Sequence, residues 1–189
     1  MRERDEQYMQ RETGRVFDEY LVLLATGGDR RAAEQLARRW QPRLLATARR
    51  LLRDEEQARA TVQQAWVSIL RGLGGLRDPA RFGPWAFGIL HRRCADRIRA
   101  ETRRRAHETP EPPDLATCAP EQAADERAAI AAAFAALPPE QRFAAHLFYV
   151  EGFSLGEIAR AADCPEGTVK SRLFHARRQL KAALSGDKP

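Results

Sequence analysis

Apolar residues recur along this chain at spacings of three and four, in blocks broken by glycine, proline and acidic capping residues, so the predicted elements are helices throughout. Phe17, Tyr20, Leu21 and Leu24 form the first block, which Gly27-Gly28 interrupts. Asp29 is placed to cap a second helix carrying Ala32, Ala33, Leu36 and Trp40. Pro42 is predicted to open a third helix with Leu44, Leu45, Ala48, Leu51 and Leu52, or to bend one helix at that point. Asp54 and Gln57 resemble a capping box ahead of the stripe Ala58, Val62, Ala65, Ile69 and Leu73, in a helix expected to end near Gly72. Asp78-Pro79 reads as a cap followed by a first helical position, but Gly83-Pro84 puts the main body of the fifth helix near Pro84. From Trp85 to Arg105 that helix carries Phe87, Leu90, Cys94 and Ile98 on one side and arginines elsewhere.

The periodicity then stops. His107 to Pro120 holds four prolines among Glu, Thr and Asp, a composition that neither sustains a helix nor buries a core, and it is read as a flexible linker. An Ala-rich helix from Glu121 to Ala136 follows, ended by Leu137-Pro138-Pro139, and a helix from Glu140 to Val150 is expected to turn Phe143, Leu147 and Val150 inward. Ser154 and Glu157 form a Ser-x-x-Glu capping box, Asp163-Cys164-Pro165 makes the next turn, and the last helix runs to about Leu184. The expected fold is therefore all-α: a charged extension over 1–14, a helical domain over 15–106, a linker over 107–120, a second helical domain over 121–184, and a tail over 185–189.

Composition narrows what such a fold can do. The chain is 43% hydrophobic but only 7% aromatic, which favours helices over a large sheet. Thirty-two Lys and Arg against 26 Asp and Glu leave a net charge of +6, suited to a polyanionic partner such as nucleic acid. Cys94, Cys118 and Cys164 lie far apart, so neither a disulfide framework nor a zinc site is signalled and a reducing cytoplasm is the expected setting. His91 and Cys94 stand one turn apart but lack a second pair of ligands. The charged start and the lack of an apolar run of about 18 residues speak against export and membrane insertion. No nucleophile, base and orienting group cluster in the sequence, no Gly-rich phosphate loop is present, and the four histidines are scattered, so neither catalysis nor a cofactor is expected.

The two helices over Ser154 to Leu184, joined by a tight turn with the second rich in arginine, form a helix-turn-helix pattern, whose second helix enters the DNA major groove. Val169, Leu173, Ala176 and Leu180 should pack inward; Lys170, Ser171, Phe174, His175 and Arg178 then project outward. Cations, a hydroxyl and an aromatic together suit phosphate contacts, base-edge contacts and apolar contact with a thymine methyl. Spacing alone leaves open a plain surface helix of a small bundle.

The runs Leu137-Pro-Pro-Glu-Gln-Arg, Tyr149-Val-Glu-Gly-Phe-Ser-Leu-Gly-Glu-Ile-Ala and Cys164-Pro-Glu-Gly-Thr-Val-Lys-Ser-Arg-Leu-Phe-His-Ala-Arg resemble region 4 of extracytoplasmic-function sigma factors. The resemblance implies that this domain binds the −35 promoter element through Thr168, Lys170, Ser171, Arg172, Phe174, His175 and Arg178, and docks on the flap of the RNA polymerase β subunit. A response-regulator-type helix-turn-helix is the alternative for this segment. The first domain resembles region 2 of the same family at Ala58 to Trp66 and at Trp85 to Arg99, where Trp85, Ile89, Asp96 and Arg99 fall on the family pattern. That implies −10 recognition and strand opening through Arg81, Trp85, Arg92, Arg93 and Arg99, and contact with the β′ clamp helices of core RNA polymerase through Gln63, Gln64 and Trp66. Single-stranded bases need aromatic stacking platforms beside cations, yet Trp85, Phe87, Trp66 and Ile69 are each favoured as core, and Asp96 as the partner of a neighbouring arginine. The family's acidic pair is Arg59-Ala60 here, Gln64 stands where an acidic residue often follows, and Arg92 occupies a common Asn position. An anti-sigma factor is a further expected partner. A sigma-like decoy that sequesters an anti-sigma factor without initiating transcription is the alternative function, and a stand-alone helix-turn-helix regulator ranks third.

Overall fold

A computed structural model describes the backbone of residues 2–107 and 122–184, with side chains described over 12–104 and 128–184. Among the described residues eight α-helices follow in chain order: α1 (Arg2–Thr26), α2 (Arg30–Leu52), α3 (Glu55–Gly72), α4 (Phe82–His107), α5 (Gln122–Ala136), α6 (Pro139–Tyr149), α7 (Leu155–Ala162) and α8 (Glu166–Leu184). No strand occurs among the described residues. The linker read over 107–120 lies outside them except for His107, which ends α4, as does the tail over 185–189.

Local chemistry explains most boundaries. Gly28 takes φ +95° after α1, a left-handed conformation that glycine adopts without penalty. The Asp29 carboxylate then accepts from the backbone N–H groups of Arg31 and Ala32, satisfying two orphan donors at the start of α2. Asp54 caps α3 by accepting from the Gln57 backbone N–H at 2.9 Å. Ala58, Val62, Ala65, Ile69 and Leu73 are all buried, as the stripe predicts.

Four expectations change. Pro42 does not open a new helix, and of the two readings the single helix holds: α2 runs through it from Arg30 to Leu52. Pro42 and Arg38, whose carbonyl the proline cannot bond, both lie on the exposed side, while Leu36, Trp40, Leu44, Ala48 and Leu51 form one buried face spanning the position. Burial along that face outweighs one lost hydrogen bond whose carbonyl faces water. Helix α4 begins at Phe82 rather than Pro84, because a 3-10 turn over Pro79–Arg81, capped by Asp78, leads directly into it. Helix α1 extends back to Arg2, through the charged extension. Val150 is exposed, because α6 stops at Tyr149 and its last inward residue is Leu147.

The helices form two groups, α1 to α4 and α5 to α8, packed against each other. Helix α7 lies along α4, and α6 approaches α2. A Cβ added at Gly88 of α4 would sit 3.2 Å from the Ala161 carbonyl oxygen of α7, so the helices meet at backbone contact. Gly83 admits Trp40 and Phe153 in the same way, at 2.8 and 3.1 Å from a Cβ there. Phe153 stands edge-on to Phe87, with ring centroids 5.5 Å apart.

Candidate nucleic-acid interface

The geometry of the helix-turn-helix is fixed by its caps. Ser154 accepts from the Glu157 backbone N–H and donates to the Glu157 carboxylate, which also accepts from the Ser154 backbone N–H, closing the predicted capping box around the start of α7. At the other end Asp163 adopts the left-handed region, φ 49°, which its short polar side chain tolerates. The Cys164 N–H then donates to the Ala159 carbonyl, turning the chain within three residues. The Pro165 carbonyl accepts from Thr168 and Val169 to start α8.

Along α8, Val169, Leu173, Ala176 and Leu180 are buried, which sets the rotation of the helix. Lys170, Ser171, Phe174, His175 and Arg178 all face solvent, and Phe174 is 64% exposed with its ring edge-on to His175. Neither Lys170 nor Arg178 has an ion-pair partner among the described residues, which leaves both cations uncommitted. Arg177, absent from the sequence-based set, shares this exposure. Its signal is spacing: it stands seven residues after Lys170 and three after Phe174.

Two members of the expected set sit differently. Thr168 is half-buried at the first turn. Arg172 is also half-buried; it lies 3.0 Å from Glu140 of α6 and points a guanidinium nitrogen at the Cys164 sulfur, 3.4 Å away. The Glu140 carboxyl is held below its ordinary range, first by a hydrogen bond from His91 of α4 and further by the charge of Arg172. Arg172 is therefore tied to the domain that carries it.

The expected cations of the first domain are more engaged. Arg81 pairs with Asp78 at 2.9 Å, Arg99 with Asp96 at 2.6 Å, and Arg93 donates to the Ser68 hydroxyl at 2.9 Å. Arg92 is exposed and has no ion pair among the described residues. Trp85 is half-buried against Gly72, whereas Phe82 and Phe87 are wholly core. On α3, Gln63 and Gln64 are exposed and Trp66 is half-buried, donating its indole N–H to Gln41. Val67 and Leu70, missed by the sequence reading because neither belongs to the buried stripe, are exposed beside them. Arg59 pairs with Glu55, whose carboxyl falls to about 2 under hydrogen bonds from Arg49 and Arg59. Among the described residues no three His, Cys, Asp or Glu side chains converge as a metal site would require, and Cys94 is buried with its thiol pushed up to about 12. No described helix is long and apolar enough to cross a membrane.

Arg142 ends the Leu137-Pro-Pro-Glu-Gln-Arg run, but the sequence reading gave it no role. Its buried guanidinium donates to the carbonyls of Phe134, Ala135 and Leu137, closing the C-terminal end of α5, and to the carbonyl of Arg50 on α2. Burial, followed by the charge of Arg53, lowers its pKa to about 10. Nothing in hydrophobic periodicity marks such a residue.

Comparisons with known proteins agree with this arrangement. The family description "Sigma-70 region 2" matches residues 36–104 and "Sigma-70, region 4" matches 127–180. ECF RNA polymerase sigma factor SigM of Mycobacterium tuberculosis is 37% identical over 168 residues, covering 88% of this chain and 84% of that protein. Among solved structures, the sigma factor RpoE of Bartonella quintana, in complex with the anti-sigma factor NepR, matches with a TM-score of 0.70 and 25% identity over 82% of this chain and 98% of that one. CnrH in complex with the cytosolic domain of CnrY matches with a TM-score of 0.66 and 26% identity, over 91% and 99% of the two chains. With both regions present in order and a relative this similar along most of its length, the chain belongs to the extracytoplasmic-function family of RNA polymerase sigma factors.

Proposed function

We propose that this sigma factor initiates transcription by reading two promoter elements with separate domains: the outward face of α8 binds the −35 element, and α4 with its preceding turn recognises and opens the upstream edge of the −10 element. The face of α8 carries the reading. A helix anchored by four buried residues presents Lys170, Ser171, Phe174, His175 and Arg178 to solvent, and Phe174 has no packing role that would account for its exposure. Uncommitted cations supply phosphate contacts that set register, while Ser171 and Phe174 are suited to base edges and a thymine methyl.

In the first domain Arg92 and Arg93 would track phosphates, and the half-buried Trp85 would offer an edge to an unstacked base. Helix α3 docks on the β′ clamp helices through Gln63 and Gln64, with Arg59 and Ala60 in place of carboxylates, so this contact relies less on charge than an acidic pair would. The β flap and an anti-sigma factor are the other partners. The reaction chemistry belongs to the polymerase, and the sigma factor supplies binding and strand separation.

Run-off transcription with purified core polymerase on a promoter library tests the reading. Specific transcripts are expected, and Lys170→Ala and Phe174→Ala should reduce them by weakening −35 binding while polymerase affinity stays intact. A folded protein that binds an anti-sigma factor but yields no specific transcript would instead identify a decoy.

A further inference from the structure

Arginine supplies almost every cation of this chain: there are 29 arginines and three lysines, Lys170, Lys181 and Lys188. Lys188 lies outside the described residues, and the other two both belong to α8. The first domain contains no lysine, so each of its cations is a guanidinium. The distinction is chemical. A guanidinium stays protonated in proteins and does not attack acyl groups, whereas a lysine ammonium releases a proton to water and its Nζ is then a nucleophile. Acylation of that nitrogen deletes the charge. Of the two surfaces proposed to face promoter DNA, only that of α8 is open to such chemistry.

Within α8 the two lysines are placed differently. Lys170 is exposed, has no ion pair among the described residues, and stands one turn before the exposed ring of Phe174. Lys181 lies in the last turn, away from the N-terminal residues with which a recognition helix reaches base edges. Beyond Phe174 come Arg177 and Arg178, exposed and likewise without ion pairs among the described residues. The helical rise puts Arg177 about 10 Å along the axis from Lys170. Free guanidiniums, an uncovered ring and a free amine in a row suit DNA. By the same chemistry they suit a nucleotide that carries an acyl thioester, with phosphates on the arginines, base against Phe174 and thioester toward the amine.

We propose that Lys170 is an acyl-acceptor site whose donor is an acyl group on a phosphate-bearing carrier. Its Nζ, having lost one proton to water, attacks the acyl carbon and forms an N–C amide bond. The C–S bond of a thioester, or the C–O bond of an acyl phosphate, breaks; the thiolate or phosphate leaves, and a second proton from Nζ passes to solvent. Nothing is oxidised or reduced. The product lacks the charge that would sit on a DNA phosphate, so the −35 contact weakens while the arginines of the first domain keep theirs. That consequence rests on the −35 reading of α8; the acylation does not.

The test incubates the full chain with acetyl-CoA in one arm and acetyl phosphate in the other, and locates modification by peptide mass. Binding is then measured at fixed salt to a fluorescent mixed-sequence duplex of about three helical turns, since phosphate contacts are blind to sequence. Acetylation of Lys170 is expected, with affinity falling roughly tenfold at full occupancy and the log–log salt slope shrinking by about one. The faster arm identifies the carrier, and Phe174→Ala should slow the acetyl-CoA arm severalfold more than the acetyl phosphate arm. Donor treatment should cost Lys170→Arg no affinity relative to its own untreated form, and should still cost Lys181→Arg its full share. Lys170 left unmodified in both arms, or an equal loss in treated Lys170→Arg, would overturn the proposal. Lys170→Gln separates the two readings without any donor: binding as tight as wild type would sink the −35 role of this face, whereas weak binding by this variant beside an unreactive Lys170 would sink the acceptor site alone.

Discussion

Helices α4 and α8 are both long and arginine-rich, and sequence alone gives each a packing side and a cationic side, but the fold treats them differently. Helix α8 buries one face on its own domain and leaves the opposite face open, with Lys170 and Arg178 unpaired among the described residues and Phe174 standing free. Helix α4 is enclosed by α2 and α3 on one side and α7 on another, and Arg81, Arg93 and Arg99 are occupied by Asp78, Ser68 and Asp96. A count of cations therefore does not measure a nucleic-acid surface. What decides is how many are left without a partner and which neighbour covers the face between them. Helix α8 keeps an open face with uncommitted cations, whereas α4 has three of its arginines engaged and one side covered by α7.

Several changes would break or sharpen that contrast. The largest effect is expected from Phe143→Ala, which removes a fully buried ring that supports α6 and stacks on His91 of α4. It should cost about 3–5 kcal/mol in urea unfolding, and hydrogen exchange should rise on α4 as well as on α6. Protection changing on α6 alone would mean that the contact between the two helix groups does not support α4. Arg142→Met keeps the volume but leaves a cluster of buried carbonyls unpaired, for an expected loss of about 2–3 kcal/mol; an unchanged midpoint would show that water satisfies them.

Phe174→Ala should leave the melting temperature unchanged while weakening duplex −35 binding by about 1–3 kcal/mol. Arg93→Ala should have a smaller effect on DNA binding by the free chain, because Ser68 and the covering helix already engage that region. Equal losses in gel-shift titrations would erase the distinction between the two helices. Ser154→Ala removes the cap that positions α7 and should cost about 1 kcal/mol, seen as a modest drop in thermal midpoint.

Acid gives the gentlest test. Folding depresses the Glu151 and Glu140 carboxyl pKa values, so their stabilisation is present above the ordinary carboxylate range and lost as pH falls through the lowered folded values. Scattering should report expansion in that acidic window before helicity is lost. Simultaneous loss of both would indicate that the contact between the two helix groups has no separate stability.

The helices, their caps and the inward face of α8 were legible in the sequence because each depends on residues three or four positions apart. The Ser154 and Glu157 box, the Asp29 and Asp54 caps, and Val169, Leu173, Ala176 and Leu180 all follow from such local spacing. Pro42 misled because the helix-breaking rule is local, whereas the burial of Leu36, Trp40, Leu44, Ala48 and Leu51 that carries α2 through it is tertiary, and Val150 because α6 ends one residue before it, with Leu147 its last inward residue. The contact between the two helix groups was illegible for a different reason: Arg43 donates to Glu151 across 108 residues, and Arg142 reaches Arg50 across 92. By itself the sequence determined an all-helical chain with a helix-turn-helix pattern and the outward side chains of its second helix, since periodicity and capping are local physics. Only the tertiary structure decided which arginines stay free, that Arg142 serves as a buried cap, and that α7 covers α4, because pairing and occlusion depend on surfaces brought together from distant parts of the chain.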